Sequence, residues 1–383
     1  MSPEPTTSPS LTDPLALTEA LIARPSVTPL DAGALDVIGA ALDRLGFTVT
    51  RLRYGEIENL FARIGGEGPH FCYAGHSDVV PSGDATGWRS DPFAPVLRDG
   101  VLYGRGACDM KGAIAAFIAA TAARLEQGKL NGSLSLLITG DEEGVATDGT
   151  VRVLDWMAEH NQIPDFCLVG EPTSKVRLGD TVKIGRRGSM NARITVRGRQ
   201  GHVAYPQRAD NPVHRLVRAV AELTAQPLDT GTDWFEPSSL QLTSIDVGNA
   251  ATNVIPASAE ARLNIRFNEL HDSAKLSAML RRVVDAHAPE SDVTISVSGE
   301  SFLTQPGPEV DRLRAAIARE TGIDPALDTG GGTSDARFIS RFCKVAEFGL
   351  VGASMHQVDE CVPVAELHAL TRIYGGVLRE FLG

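Results

Sequence analysis

At five places in this chain a strand-like stretch runs out into a cluster of acids or histidines, and no other feature restricts the fold as much. The places are HFCYAGHSDVV, which ends on His76 and Asp78, GRGACDMKG from Gly104, LLITGDEEG from Leu136, FCLVGEP from Phe166, and FGLVGASMHQVDE from Phe348. In open α/β sheets ligands bind outside the carboxyl ends of the strands, so five such ends point to a single crevice. Imidazoles and carboxylates without thiolates suit a catalytic zinc or a harder divalent ion. The five cysteines, Cys72, Cys108, Cys167, Cys343 and Cys361, show no C-x-x-C pairing, which argues against a structural zinc knuckle.

The rest of the pattern supports an α/β reading. LALTEALIA, after Asp13 and Pro14, reads as a helix, and Leu35, Ile38, Leu42 and Leu45 mark one face of a second helix that stops at Gly46. TVTRL, NLFARI, HFCYAG, SLSLLIT and FCLVG read as strands, with MKGAIAAFIAATAARLEQG and VRVLDWMAEHN as helices between them. Short apolar strands alternating with helices predict a doubly wound, mostly parallel sheet.

From about Gly185 the pattern changes to three long strands, two helices and a further strand, a compact α+β module. After Pro306 the first pattern returns. The expected organisation is a catalytic domain over 1–186 and 298–383, interrupted by a smaller inserted domain at 187–297.

The chain has 383 residues, long for one core, and its 36 basic and 48 acidic residues give a net charge of −12 with the basic ones dispersed. A nucleic-acid partner is therefore not expected. No apolar run approaches the roughly 20 residues that span a bilayer, so no membrane partner is expected either. The polar, proline-rich MSPEPTTSPS lacks the features of a secretory signal and reads as a short disordered lead. Together with the odd cysteine count, this predicts a cytoplasmic protein.

Each candidate residue has a plain structural reading beside the chemical one. His76 and Asp78, two apart in an extended segment, share a side, so the carboxylate can orient a ligating imidazole; they can also be a polar strand end. Asp109 precedes a convincing helix and reads as an N-cap or as a carboxylate bridging two metals, and both can hold. Asp141, Glu142 and Glu143 are a solvated turn or a ligand beside a general base. Glu171 and His356 are terminal ligands or ordinary polar residues. Jointly, Asp109, Glu143 and Glu171 carry three negative charges, which two divalent cations and one hydroxide neutralise.

These residues resemble a known family, the dinuclear zinc peptidases and N-acyl amino acid deacylases, over nearly the whole chain. GHSDVVPSGDATGW, SDPF, LYGRGACDMKG, the DEEG run and GEPT carry the general likeness. GRRGSMNARITVRGRQGHVAYP from Gly185 and TGGGTSDARF from Thr329, with NPVH and NVIPA, resemble the branch acting on a succinylated diamino diacid.

The resemblance implies two Zn²⁺ per subunit, with Co²⁺ or Mn²⁺ as substitutes. One would be held by His76 and Glu171 and the other by Glu143 and His356, with Asp109 bridging. It also implies Glu142 as general acid/base, Asp78 behind His76, and a homodimer in which His202 of the inserted domain stabilises the oxyanion in the other subunit. Arg186, Ser189, Tyr205, Asn253, Arg266 and Thr333 match positions that hold substrate. Gly352 stands where many members of this branch have asparagine, so that contact is not carried over.

The implied activity is release of succinate from the small molecule N-succinyl-LL-2,6-diaminoheptanedioate, with acetylornithine deacetylation or another deacylation of the family as the alternative. A non-catalytic scaffold would lack a ligand or the base, and none is missing. A dinucleotide enzyme would want G-x-G-x-x-G, and GRGACDMKG lacks its last glycine.

Overall fold

The computed structural model describes residues 11–383; the lead read from MSPEPTTSPS lies outside them. The chain divides into two compact units. The first comprises the chain up to Ile184 together with Thr304–Asp328 and Ser334–Gly383. Its eight-stranded sheet runs Thr48–Tyr54, Ile57–Gly65, Ser133–Thr139, His70–His76, Phe166–Val169, Lys344–Glu347, Thr181–Lys183, Ala326–Asp328. The strands around His70–His76 are parallel, and antiparallel pairing is confined to the Thr48–Gly65 hairpin, its junction with Ser133–Thr139, and one pair at Glu347.

From His70–His76 the chain passes through helix Lys111–Glu126 to the strand on one side, then through helix Thr150–Glu159 to Phe166–Val169 on the other. The winding therefore reverses at His70–His76, and a crevice opens beyond the carboxyl end of that strand.

Both faces of the sheet are covered, which is why the central strands are buried along their whole length instead of alternating. Tyr73 stacks on Phe117 of helix Lys111–Glu126 at 4.0 Å and meets Tyr374 of helix Val364–Leu382 edge-on at 5.7 Å. Ala74 points to the opposite face. It is in register with Leu137, and Leu137 with Phe61, whose ring meets Trp156 of helix Thr150–Glu159 at 5.4 Å. With the sheet fixed from both sides, residues at its strand ends inherit its rigidity.

The second unit is Gly185–Leu303 with Thr329–Thr333. Gly185–Arg186 pairs with Phe302–Leu303, so this boundary falls outside the expected 187–297. Arg186 Nη1 donates to Gly332 O at 2.8 Å, which draws the 329–333 segment to it. Its antiparallel sheet runs Ser239–Asp246, Ser258–Phe267, Gly188–Arg197, Asp292–Gly299. Helices Pro212–Thr224 and Ser273–His287 cover one face, around Ile194, Leu216, Leu263 and Leu280. No helix among the described residues is long and apolar enough to cross a membrane.

One close approach links the core to the strand ends. A Cβ at Gly170 would lie 1.9 Å from the hydroxyl of Tyr73, whose ring is locked by Phe117 and Tyr374. Gly170→Ala should therefore lower the unfolding free energy by about 1–3 kcal/mol through overpacking, measured by urea denaturation. Gly66→Ala, where nothing lies within 4 Å, should leave it nearly unchanged.

Candidate metal centre

His76 is the last residue of the switch-point strand and is buried. Its Nδ1 lies 2.9 Å from the carbonyl of Asp78, which can only accept, so Nδ1 carries a proton and Nε2 faces the cluster. The Asp78 carboxylate, expected to orient this ring, stands 3.7 Å from Nδ1. It accepts instead from the backbone N–H of Glu142 (3.3 Å) and Glu143 (3.1 Å) and from the Thr28 hydroxyl (2.6 Å). Asp78 thus fixes the loop that carries two functional acids, while its own main chain orients His76.

The three consecutive acids separate by role. Asp141 turns inward and accepts from Thr147 N–H (2.9 Å) and Asp148 N–H (3.1 Å), closing the loop on itself. Glu142 and Glu143 remain for the site. Asp109 is not an N-cap: helix Lys111–Glu126 is preceded by Met110 and has no side-chain cap. The Asp109 carboxylate points across the crevice, with Oδ1 3.2 Å from His76 Nε2 and Oδ2 3.1 Å from His356 Nε2. Each imidazole has a further acid. Glu171 Oε1 is 3.8 Å from His76 Nε2, and Glu143 Oε1 is 2.9 Å from His356 Nε2. Glu143 also lines a cleft of about 590 Å³ with Thr28, Ile57 and Val145.

Ligand atoms of His76, Asp109 and Glu143 lie within 4.8 Å of one another, as do those of His76, Glu142 and Glu171. Among the described residues, Asp109 and Glu143 form ion pairs with imidazoles and with no lysine or arginine. Carboxylates gathered at this spacing repel, and a donor set of oxygens and two imidazole nitrogens fits divalent cations such as zinc.

The proton affinities show the same crowding. Burial pushes the His76 ring down, but the hydrogen bond and charge of Asp109, with Glu171 and Glu142, outweigh it and raise it well above its ordinary value. Asp109 and Glu143 hold His356 up at about 10. Burial would raise Asp109, yet the two imidazoles hold it below the usual carboxylate range. Glu142 is raised well above that range by burial and the charge of Glu171.

The remaining candidates lie in the second unit. Arg186 is buried against Gly332, next to Thr333. Ser189 and Arg266 are direct cross-strand partners. His202, Tyr205 and Asn253 form one exposed group: the two rings are 5.7 Å apart and Val203 N–H donates to Asn253 O at 3.1 Å. Ala204 N–H donates to His202 Nδ1 at 3.1 Å, which makes Nδ1 the acceptor and leaves Nε2 as the ring's donor.

Sequence reasoning passed over Arg105, Glu360 and Asp335, all buried. Thr150 donates to Asp335 at 2.6 Å, and burial pushes its carboxyl up to about 6. The signals were a lone arginine between glycines, the TGGGTSDARF run that contains Asp335, and an acid closing the HQVDE run.

Both imidazoles hold their protons more tightly than usual in the ion-free protein, and a ligating nitrogen must lose its proton. Metal affinity should therefore rise with pH, up to about 10 for His356. Titration calorimetry in buffers of different ionisation enthalpy should show release of about two protons on full loading, one per imidazole. No release would contradict the assignment of His76 and His356 as ligands.

Residues 72–380 match the family model described as peptidase family M20/M25/M40. A succinyl-diaminopimelate desuccinylase of Gluconacetobacter diazotrophicus is 64% identical over 381 residues, 98% of this chain and 99% of that protein. A protein of the same name from Granulibacter bethesdensis is 61% identical over 383 residues, 97% and 99% of the two chains. Among solved structures, the M20 family metallo-carboxypeptidase Sso-CP2 of Sulfolobus solfataricus superposes with a TM-score of 0.77 at 14% identity, covering 96% of this chain and 99% of that one. The YXEP protein of Bacillus subtilis, described as a dinuclear metal binding peptidase from M20 family, gives 0.70 at 15% identity, covering 95% and 96%. These two likenesses show the same α/β fold.

Proposed function

The chain belongs to peptidase family M20/M25/M40, and from that premise we propose that it is a two-zinc amidohydrolase releasing succinate from N-succinyl-LL-2,6-diaminoheptanedioate. The observation that carries this reading is the Asp109 carboxylate, whose two oxygens each face a different imidazole. The substrate comes from the full-length relatives, which bear the name of that activity.

In this reading His76 and Glu171 would hold one ion, Glu143 and His356 would hold the other, and Asp109 would serve both. Two such cations supply Lewis acidity toward the amide carbonyl and toward water. The chain does the rest. Glu142, held by its backbone N–H on Asp78, takes a proton from the attacking water and returns it to the departing amine nitrogen. Its raised proton affinity is the direction that such a shuttle needs.

His202 Nε2–H, supplied across a homodimer interface, donates to the oxyanion. Arg186 and Arg266 hold substrate carboxylates, with Ser189, Tyr205, Asn253 and Thr333 adding hydrogen bonds. The protein works in the cytoplasm, on a small molecule.

The zinc-loaded protein should hydrolyse N-succinyl-LL-diaminopimelate and not N-acetylornithine, and a chelator should abolish the activity. Turnover of acetylornithine alone would move the assignment within the family. Glu142→Gln should lower kcat by about 10²–10⁴-fold with its bound zinc unchanged, read by steady-state kinetics and metal analysis. Wild-type turnover in that variant would remove Glu142 from the mechanism.

A further inference from the structure

The loop that delivers Asp109 is gripped by a single carboxylate from the other end of the chain. Gly104 to Asp109 lies between strand Val101–Tyr103 and helix Lys111–Glu126, so its N–H groups fall outside regular secondary structure. Three of them converge on Glu360: Gly106 N–H on Oε2 at 2.9 Å, Cys108 N–H on Oε1 at 3.0 Å, and Asp109 N–H on Oε1 at 3.1 Å. Gly106 has φ +85°, and a Cβ there would lie 2.8 Å from Lys111 Cδ and 2.9 Å from Val79 Cγ1, so the loop can wrap the carboxylate only with glycine there. Successive N–H groups curled in this way make an anion-binding concavity, and here the anion is the protein's own.

Glu360 is itself fixed. Its neighbouring strand, Cys361–Pro363, pairs with Val101–Tyr103, and its carbonyl accepts from Gly104 N–H at 2.9 Å. The buried charge is met by Arg105, whose Nη1 lies 2.8 Å from Oε2; both side chains are almost fully buried. Arg105 also reaches Gln357 O (3.3 Å) and Pro81 O (3.4 Å) and packs over Trp88 at 5.1 Å. One ion pair therefore touches the segment after His76, the loop before Asp109 and the loop of His356. Ser354 closes the base of that last loop, donating to Cys361 O at 2.9 Å and accepting from its N–H at 3.1 Å.

We infer that Glu360, paired with Arg105, is a positioning residue that sets the Asp109 carboxylate against His356 and so shapes the ion site they share with Glu143. It touches neither substrate nor ion. It acts because His356 precedes it in the same short loop, which therefore carries both a ligand and the clamp on the bridging acid. The inference rests on the proposed metal ligands.

Glu360→Gln keeps the shape but turns an amide N–H₂ toward backbone donors and leaves Arg105 unmatched. Competition with a chromogenic chelator should show affinity for one of the two zinc ions weakened about 10–100-fold, the other changing far less, with kcat lowered more than KM is altered. Glu360→Asp, which keeps the charge, should restore part of both. Should Glu360→Gln fail to fold, Arg105→Lys, which keeps the charge and loses the fork, should show a smaller loss at the same ion. A folded Glu360→Gln, or in its place a folded Arg105→Lys, that binds both ions as the wild type does, even with a lower melting temperature, overturns the inference. Failure of the underlying site assignment looks different: the wild type itself would not bind two ions.

Discussion

The structure turns on one carboxylate held between two imidazoles. Asp109 faces His76 with one oxygen and His356 with the other, while Glu143 and Glu171 crowd the same imidazoles from outside. Without cations this is a repulsive arrangement of acids that raises the proton affinity of both rings; two divalent cations with one hydroxide would neutralise it. To tolerate it, the loops must be rigid before any ion arrives. That rigidity comes from other acids nearby. Asp78 grips the N–H groups of Glu142 and Glu143, Asp141 closes their loop, and Glu360 grips the loop of Asp109. The crevice thus holds two kinds of carboxylate, those with backbone donors and those facing imidazoles.

That division explains what the sequence could and could not tell. The strand ends were legible because periodicity is local: the central strands are short, largely apolar stretches, and helix Ala34–Arg44 buries the expected Leu35, Ile38 and Leu42. The residues around Asp109 could be gathered because each sits at such an end. The sorting of Asp141 from Glu142 and Glu143 was not legible, since it depends on which way adjacent side chains turn in a loop. Glu360 was invisible for a different reason: its partner Asp109 is 251 residues away, and no local pattern marks a buried acid whose donors are main-chain N–H groups. Of the two readings of Asp109, the cap gave way because a local preference for capping yielded to two imidazoles contributed by distant segments.

The second unit follows a different logic. Its antiparallel sheet is covered by helices on one face, and it is tied off at its neck by the pairing of Gly185–Arg186 with Phe302–Leu303. The residues proposed for substrate recognition lie in this unit, as buried Arg186, the Ser189 and Arg266 pair, and the exposed group around His202.

The central claim is that Asp109 bridges two ions, and anomalous diffraction from zinc-loaded crystals at the zinc edge tests it directly. The account predicts two peaks about 3.5–4 Å apart, flanking Asp109, one beside His76 and Glu171 and the other beside His356 and Glu143. A single peak, or two peaks that do not share Asp109, would contradict it.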